Sequence, residues 1–190
     1  VGPYCRIARE AMSALSLDPI VYPCPRGGRL FREKVKREGG RYQFPYLVDP
    51  NTGVSMYESG DIVEYLFETY GDGRAPWFLR RRAFAVSTSM LASAFRPGRG
   101  RHAVASRQPK QLLELYSYEG SPFCRIAREA LCELELPHQL HNVPRRSPDR
   151  EGYVSISGKM QVPYLLDPNT GARMFESAEI RRYLYETYAA

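Results

Sequence analysis

Gly2-Pro3-Tyr4-Cys5-Arg6-Ile7-Ala8-Arg9-Glu10-Ala11 returns as Ser121-Pro122-Phe123-Cys124-Arg125-Ile126-Ala127-Arg128-Glu129-Ala130, and this recurrence decides how the chain is read. Proline is at home in the first turn of a helix, where its missing N–H would be unpaired anyway. The apolar spacing that follows Pro122 (Ile126, Ala127, Ala130, Leu131, Leu134) is helical. Gly2 and Ser121 therefore stand at helix N-termini, where free N–H groups and the helix dipole favour negative charge. Pro3 to Leu17 against Pro122 to Leu136 gives 10 identities in 15. Phe44 to Tyr70 against Val162 to Tyr188 gives 17 in 27, with the offset shortened by one residue. Two blocks repeated in the same order mean a tandem duplication of one domain, not a solenoid of many short units.

The second copy reads as strand (112–118), helix (122–135), strand (139–143), a variable helical stretch (148–157), strand (162–166), a turn Asp167-Pro168-Asn169-Thr170-Gly171, strand (172–175) and helix (178–188). The turn has proline early and glycine last, which suits a hairpin. Strand–helix–strand followed by a hairpin and a helix predicts an α/β fold, a four-stranded mixed sheet flanked by helices. The first copy begins at its helix and offers no counterpart of 112–118. A domain without that central strand is expected to be unstable by itself. The expected organisation is domain 1 over 1–73, a basic linker over 74–110 and domain 2 over 111–190.

The linker carries the basic character of the chain. Net charge is +6, yet residues 74–110 hold nine basic residues and no acidic one. Trp77 to Phe95 reads as an apolar helix with a basic N-terminal end, and the Gly/Arg-rich remainder to Lys110 as flexible linker. The helix is expected to pack between the two domains, the other reading being docking to a partner protein through 76–95 or to a membrane surface. Arg96, Arg99, Arg101 and Arg107 have no interleaved aromatics, so nucleic acid is not expected as a partner. No apolar run is long enough for a membrane span. No signal or transit peptide is visible. The four cysteines (Cys5, Cys24, Cys124, Cys132) show neither a CxxC pair nor zinc spacing, so no metal site is expected and a reducing compartment fits. His102, His138 and His141 lack ligand or triad spacing and read as surface or strand residues.

Three spaced motifs occur twice: Ser121-Pro122-Phe123-Cys124, Val162-Pro163 and Glu176-Ser177, matched by Gly2-Pro3-Tyr4-Cys5, Phe44-Pro45 and Glu58-Ser59. On these residues each copy resembles the thioredoxin-like N-terminal domain of glutathione transferases, close to glutaredoxins. The tandem arrangement is similar to two-domain plastid proteins of plants and algae, which implies a chloroplast location. The resemblance implies cis bonds before Pro45 and Pro163, with the backbone of Phe44 and Val162 turned outward to pair with the cysteinyl part of glutathione as an added strand would. It further implies that Glu58, Ser59, Glu176 and Ser177 meet the charged γ-glutamyl end, although each Glu-Ser pair also reads as a helix cap.

The nucleophile position departs from glutaredoxins, whose first cysteine is replaced here by Ser121 and Gly2. Cys124 and Cys5 occupy the second position, where a cysteine is usually a small buried hydrophobe; redox work is the other reading. Serine-type transferases use such a hydroxyl to stabilise the glutathione thiolate, so Ser121 is the catalytic candidate and the first copy looks empty. Three functions follow. The first is a glutathione-binding tandem protein with weak transferase or glutathione-dependent redox activity in domain 2. The second is a non-catalytic subunit of a larger plastid assembly. The third is an iron–sulfur or glutathione-linked sensor using Cys124 or Cys5.

Overall fold

The computed structural model describes residues 2–80, 100–144, 147 and 150–190. In the first half, helix α1 (Pro3–Ala14) leads to strand β1 (Ile20–Val21), helix α2 (Arg32–Gly39), strands β2 (Leu47–Asp49) and β3 (Val54–Met56), helix α3 (Ser59–Tyr70) and the short helix α4 (Trp77–Arg80). The second half holds β4 (Leu113–Ser117), α5 (Pro122–Glu133), β5 (His138–Asn142), α6 (Arg150–Ser157), β6 (Tyr164–Asp167), β7 (Ala172–Phe175) and α7 (Ser177–Tyr188).

β4 is the centre of the main sheet. It runs parallel to β5 (Leu115 opposite Leu140) and antiparallel to β6 (Leu115 opposite Leu165), and β7 closes one side against β6. Leu113, Leu115 and Ser117 on one face are fully buried and Tyr116 on the other is 7% exposed, as a central strand covered on both faces requires. α5 and α7 supply one cover, with Leu131, Ile180 and Leu184 packed on Leu113, Leu140 and Leu165. The first half builds its own smaller core from Ile7, Ala11, Ile62, Leu66 and Phe67 of α1 and α3.

The two halves repeat each other in hydrogen bonds as well as in sequence. In the second, Asp167 accepts from Tyr183 and Tyr188, both at 2.6 Å; in the first, Asp49 accepts from Tyr65 at 2.6 Å and Tyr70 at 2.5 Å. Both turns close with the glycine N–H on the aspartate carbonyl, Gly171 to Asp167 at 2.8 Å and Gly53 to Asp49 at 2.9 Å. Both glycines have positive φ, 77° and 74°, which a side chain would resist.

Two expectations are altered. The sheet has five strands, because β1 of the first half adds antiparallel to the outer edge of β5, with Ile20 opposite Gln139 and Val21 opposite His138. An edge strand presents unpaired N–H and C=O groups, and β1 satisfies them. Residues 100–110, read as part of a flexible linker, are instead tied down. Val104 N–H donates to Glu133 O at 2.7 Å, Ser106 Oγ to Leu134 O at 2.6 Å and Arg107 N–H to Tyr188 O at 2.8 Å. These acceptors lie at the C-terminal ends of α5 and α7, where carbonyls lack helical partners. The segment caps two helices, which periodicity does not reveal. Of the helix expected over Trp77 to Phe95, only α4 falls within the described residues; Arg96 and Arg99 also lie outside them. Among the described residues no helix is long and apolar enough to cross a membrane.

Beside the β1–β5 pairing, the seam between the halves holds an ionic cluster. Glu119, in the loop before α5, receives Arg9 Nε at 2.9 Å and Nη2 at 3.2 Å from the first half, and Arg128 Nη2 lies 3.4 Å away. Arg6 Nε stands farther off, at 3.8 Å. Burial pushes the Glu119 carboxyl up, but Arg128, then Arg9 and Arg6, outweigh it and hold the pKa below its ordinary value.

Candidate functional site

The β5–β6 connection and the start of α7 meet in a cleft of about 350 Å³ lined by Phe123, Met160, Gln161, Val162, Pro163, Glu176 and Ser177. Four residues singled out from the sequence, Val162, Pro163, Glu176 and Ser177, thus share one wall system. The Val162-Pro163 peptide bond is cis, as is Phe44-Pro45. Val162 precedes the first residue of β6, so it lies beyond the sheet ladder.

Glu176 occupies the N-cap position of α7 with φ 64° and makes no side-chain cap bond. Its carboxylate instead accepts a hydrogen bond from Gln161 Nε2. Ser177 opens the helix and is 8% exposed. One end of the cleft therefore offers a carboxylate, a hydroxyl, an amide and the N-terminal N–H groups of a helix. The lining is otherwise apolar: it includes Phe123, which is 62% exposed, and Met160, whose sulfur accepts from Arg150 Nε at 3.3 Å. Such a cleft suits a ligand with an amino-acid head, the ammonium on Glu176 and the carboxylate on Ser177 and the helix end, with a less polar remainder.

Ser121 and Cys124 are not among the residues lining this cleft. Ser121, 6% exposed, caps α5, its Oγ accepting the Cys124 N–H at 3.2 Å, a bond that uses the oxygen and not the hydroxyl proton. Cys124 is fully buried. The other cysteines are poor nucleophiles, since the thiolate is the reactive form. Burial raises the thiol pKa of Cys5, and takes Cys24 up to about 12 and Cys132 up to about 11. Among the described residues no cluster of His, Cys, Asp or Glu is arranged to hold a metal ion.

The first half differs at the matching positions. Gln43 Nε2 donates to Glu58 at 2.5 Å, and Glu58 has φ 65°, repeating the Gln161–Glu176 arrangement. Its cavity of about 180 Å³ is lined by Ile7, Ser59, Gly60, Asp61, Val63, Glu64 and Leu79, and leaves out Phe44, Pro45 and Glu58. The Arg32 guanidinium sits 4.8 Å from the Phe44 ring centre and covers it. Gly2 contributes no side chain. Sequence reasoning overlooked the two glutamines, although the second repeated block extends one residue upstream as an identity, Gln43 with Gln161. It also overlooked Phe123 and Met160 as walls.

None of the three histidines is among the residues lining the cleft. His138 is buried, and burial lowers its pKa to about 4. His141 lies on the seam, and His102 is exposed beside Arg26.

Comparison with known proteins places these features. The family model described as glutathione S-transferase, N-terminal domain, matches residues 1–75 and again 115–190. A curated relative, the glutathione S-transferase-like protein tpcF of Aspergillus fumigatus, is 38% identical over 58 residues, 30% of this chain and 26% of that protein. The match thus spans about a quarter of the relative's length. No solved structure matches the chain at a significant level.

Proposed function

Because the chain belongs to the glutathione S-transferase N-terminal domain family, we propose that it is a tandem pair of thioredoxin-like domains that binds one glutathione, in the cleft of the second half. The observation that carries this reading is the cleft itself, where Val162, Pro163, Glu176 and Ser177 meet around about 350 Å³. The γ-glutamyl ammonium is assigned to Glu176, its carboxylate to Ser177 and the α7 N-terminus, and the cysteinyl backbone to Val162. Gln161 holds the Glu176 carboxylate in place. The Ser121 hydroxyl, at the N-terminus of α5, is the group assigned to the ligand sulfur, with any transferase or redox turnover weak. The first half is assigned no ligand: Gly2 lacks a donor and Arg32 covers Phe44.

Calorimetric titration of glutathione into the full chain tests the reading. One site per chain is expected, and Glu176→Ala should weaken it by roughly 10–100-fold, the worth of one hydrogen-bonded charge. Absence of heat at millimolar glutathione sinks the proposal. Thiolate absorbance of the bound ligand, lost in Ser121→Ala, tests the serine's role, and turnover with a generic electrophile separates a binding module from an enzyme. Failure to bind glutathione would favour the other reading, a docking subunit of a plastid assembly, in which Trp77 of α4, 64% exposed, begins the contact surface. Deleting residues 77–95 should then abolish co-purification with partners. A fluorescent fusion of the full-length protein tests the chloroplast location that the resemblance implies.

A further inference from the structure

Residues 17–21 of the first half are laid along the free edge of β5. Leu140 N–H donates to Pro19 O at 2.9 Å, Gln139 Nε2 to Asp18 O at 2.9 Å, and Asn142 Nδ2 to Leu17 O at 2.5 Å. Asp18 is the hub of this contact. Its Oδ1 accepts the Asn142 N–H at 2.8 Å, and its Oδ2 lies 2.8 Å from His141 Nδ1. The other ring nitrogen of His141, Nε2, faces Glu114 Oε2 of β4 at 3.1 Å. One imidazole thus stands between two carboxylates from opposite halves. The other titratable group against it is Tyr116 of β4, whose ring stacks on it at 4.4 Å. β1, on the far side, brings only Ile20 and Val21.

We propose that Asp18, His141 and Glu114 form a proton-operated latch, which holds residues 17–21 on β5 while His141 is charged and frees them when it is neutral. The charged ring donates from both nitrogens and satisfies both carboxylates. The neutral ring has one donor and one lone pair, so one carboxylate is left facing a lone pair. The other contacts at that edge, the two-residue β1 pairing, the hydrogen bonds above and Val21 against the core, do not depend on the charge of the ring, so the proton acts on this cluster alone. Release would bare the β5 edge, a surface that accepts a strand from elsewhere.

The direction of the effect follows from the charges. Burial disfavours the charged ring, but Asp18 and Glu114 outweigh it and hold the His141 pKa above its ordinary 6.5. The latch is therefore fully closed below about 6.5 and weakens as pH rises through the higher folded value. The side chains of His141, Asp18 and Glu114 are 24%, 42% and 38% exposed, so protons exchange freely with solvent.

Two measurements on the full chain test this. The His141 Cε1 proton, followed by NMR, should titrate above 6.5, and lower in Asp18→Asn and Glu114→Gln. Amide exchange at Leu140 and Asn142, corrected for intrinsic rates, should lose protection as pH rises above 6.5, in step with that titration. The loss should reach about tenfold for each unit separating the closed and open pKa values. In His141→Gln the protection should not vary with pH. Titration at or below 6.5, protection that stays flat in the native chain, or the same pH dependence in His141→Gln overturns the latch.

Discussion

Glu119→Gln should cost about 3–5 kcal/mol in urea-induced unfolding, the scale for breaking a buried ion pair from one side. The side chain is 6% exposed and is shared by Arg9 and Arg128, themselves 17% and 7% exposed. Removing its charge leaves the Arg9 and Arg128 guanidinium groups in the seam with no ion-pair partner among the described residues. The loss should appear as a fall in the midpoint with little change in the slope. Arg6→Gln is the informative contrast. Arg6 Nη1 is buried without a hydrogen-bond partner among the described residues, and Arg6 Nε is 3.8 Å from the carboxylate. Its removal subtracts surplus positive charge, so a change within about 1 kcal/mol, of either sign, is expected. The carboxyl pKa is held below 4.5, so its contribution is complete above that value and disappears as pH falls through the lower folded pKa. Glu119→Gln should therefore flatten the acid limb of stability against pH.

Asp167→Ala should cost about 3–4 kcal/mol, since it removes a buried acceptor shared by the buried Tyr188 and the half-buried Tyr183 and Asn169. Asp167 is 1% exposed and Tyr188 is 5% exposed, so water does not readily replace the lost acceptor. Asn169 also loses an acceptor, because its N–H and Nδ2 donate to Asp167 Oδ1 at 2.8 Å and 2.9 Å, although Nδ2 keeps the Gln111 carbonyl at 3.0 Å. The matching Asp49→Ala should cost about half as much, because Tyr70 is 37% exposed and can turn to solvent. Thermal unfolding of the two variants checks the ratio. Equal losses would show that the first-half network is as dry as the second.

Residues of one type carried most of what was legible in the sequence. The Pro-Asn-Thr-Gly turns, the X-Pro pairs and the Glu-Ser pairs are local, because their geometry is set by neighbours within a few residues. The repeat then made each visible twice. Local patterning also gave the strand and helix order of the second half within a residue or two. The seam was not legible. Asp18 meets His141, and Arg9 meets Glu119, across more than a hundred residues, and nothing in the spacing of charges along the chain foretells such pairs. The same holds for Val104, Ser106 and Arg107, whose composition reads as linker while their partners are carbonyls at two distant helix ends. Cys124 drew attention by its place in a redox-like phrase, yet its side chain points into the core. The walls of the cleft were half legible: Phe123 belongs to the repeated phrase, but the aromatic ring shows no sign, in sequence, of being left exposed.

Glu58 and Glu176, with φ 65° and 64°, both hold a backbone shape that glycine adopts freely and other residues adopt at about 1–3 kcal/mol. A laboratory selection that rewards heat tolerance alone is thus offered a gain at two places. At position 58, beside a ring already covered by Arg32, taking it forfeits nothing the proposed ligand needs. At position 176 it deletes the carboxylate at the polar end of the cleft. Selection for heat tolerance together with retention on a glutathione resin should fix Glu58→Gly and refuse Glu176→Gly. The two halves, near-copies in sequence, would then record separately which of them is kept for its ligand and which for its shape.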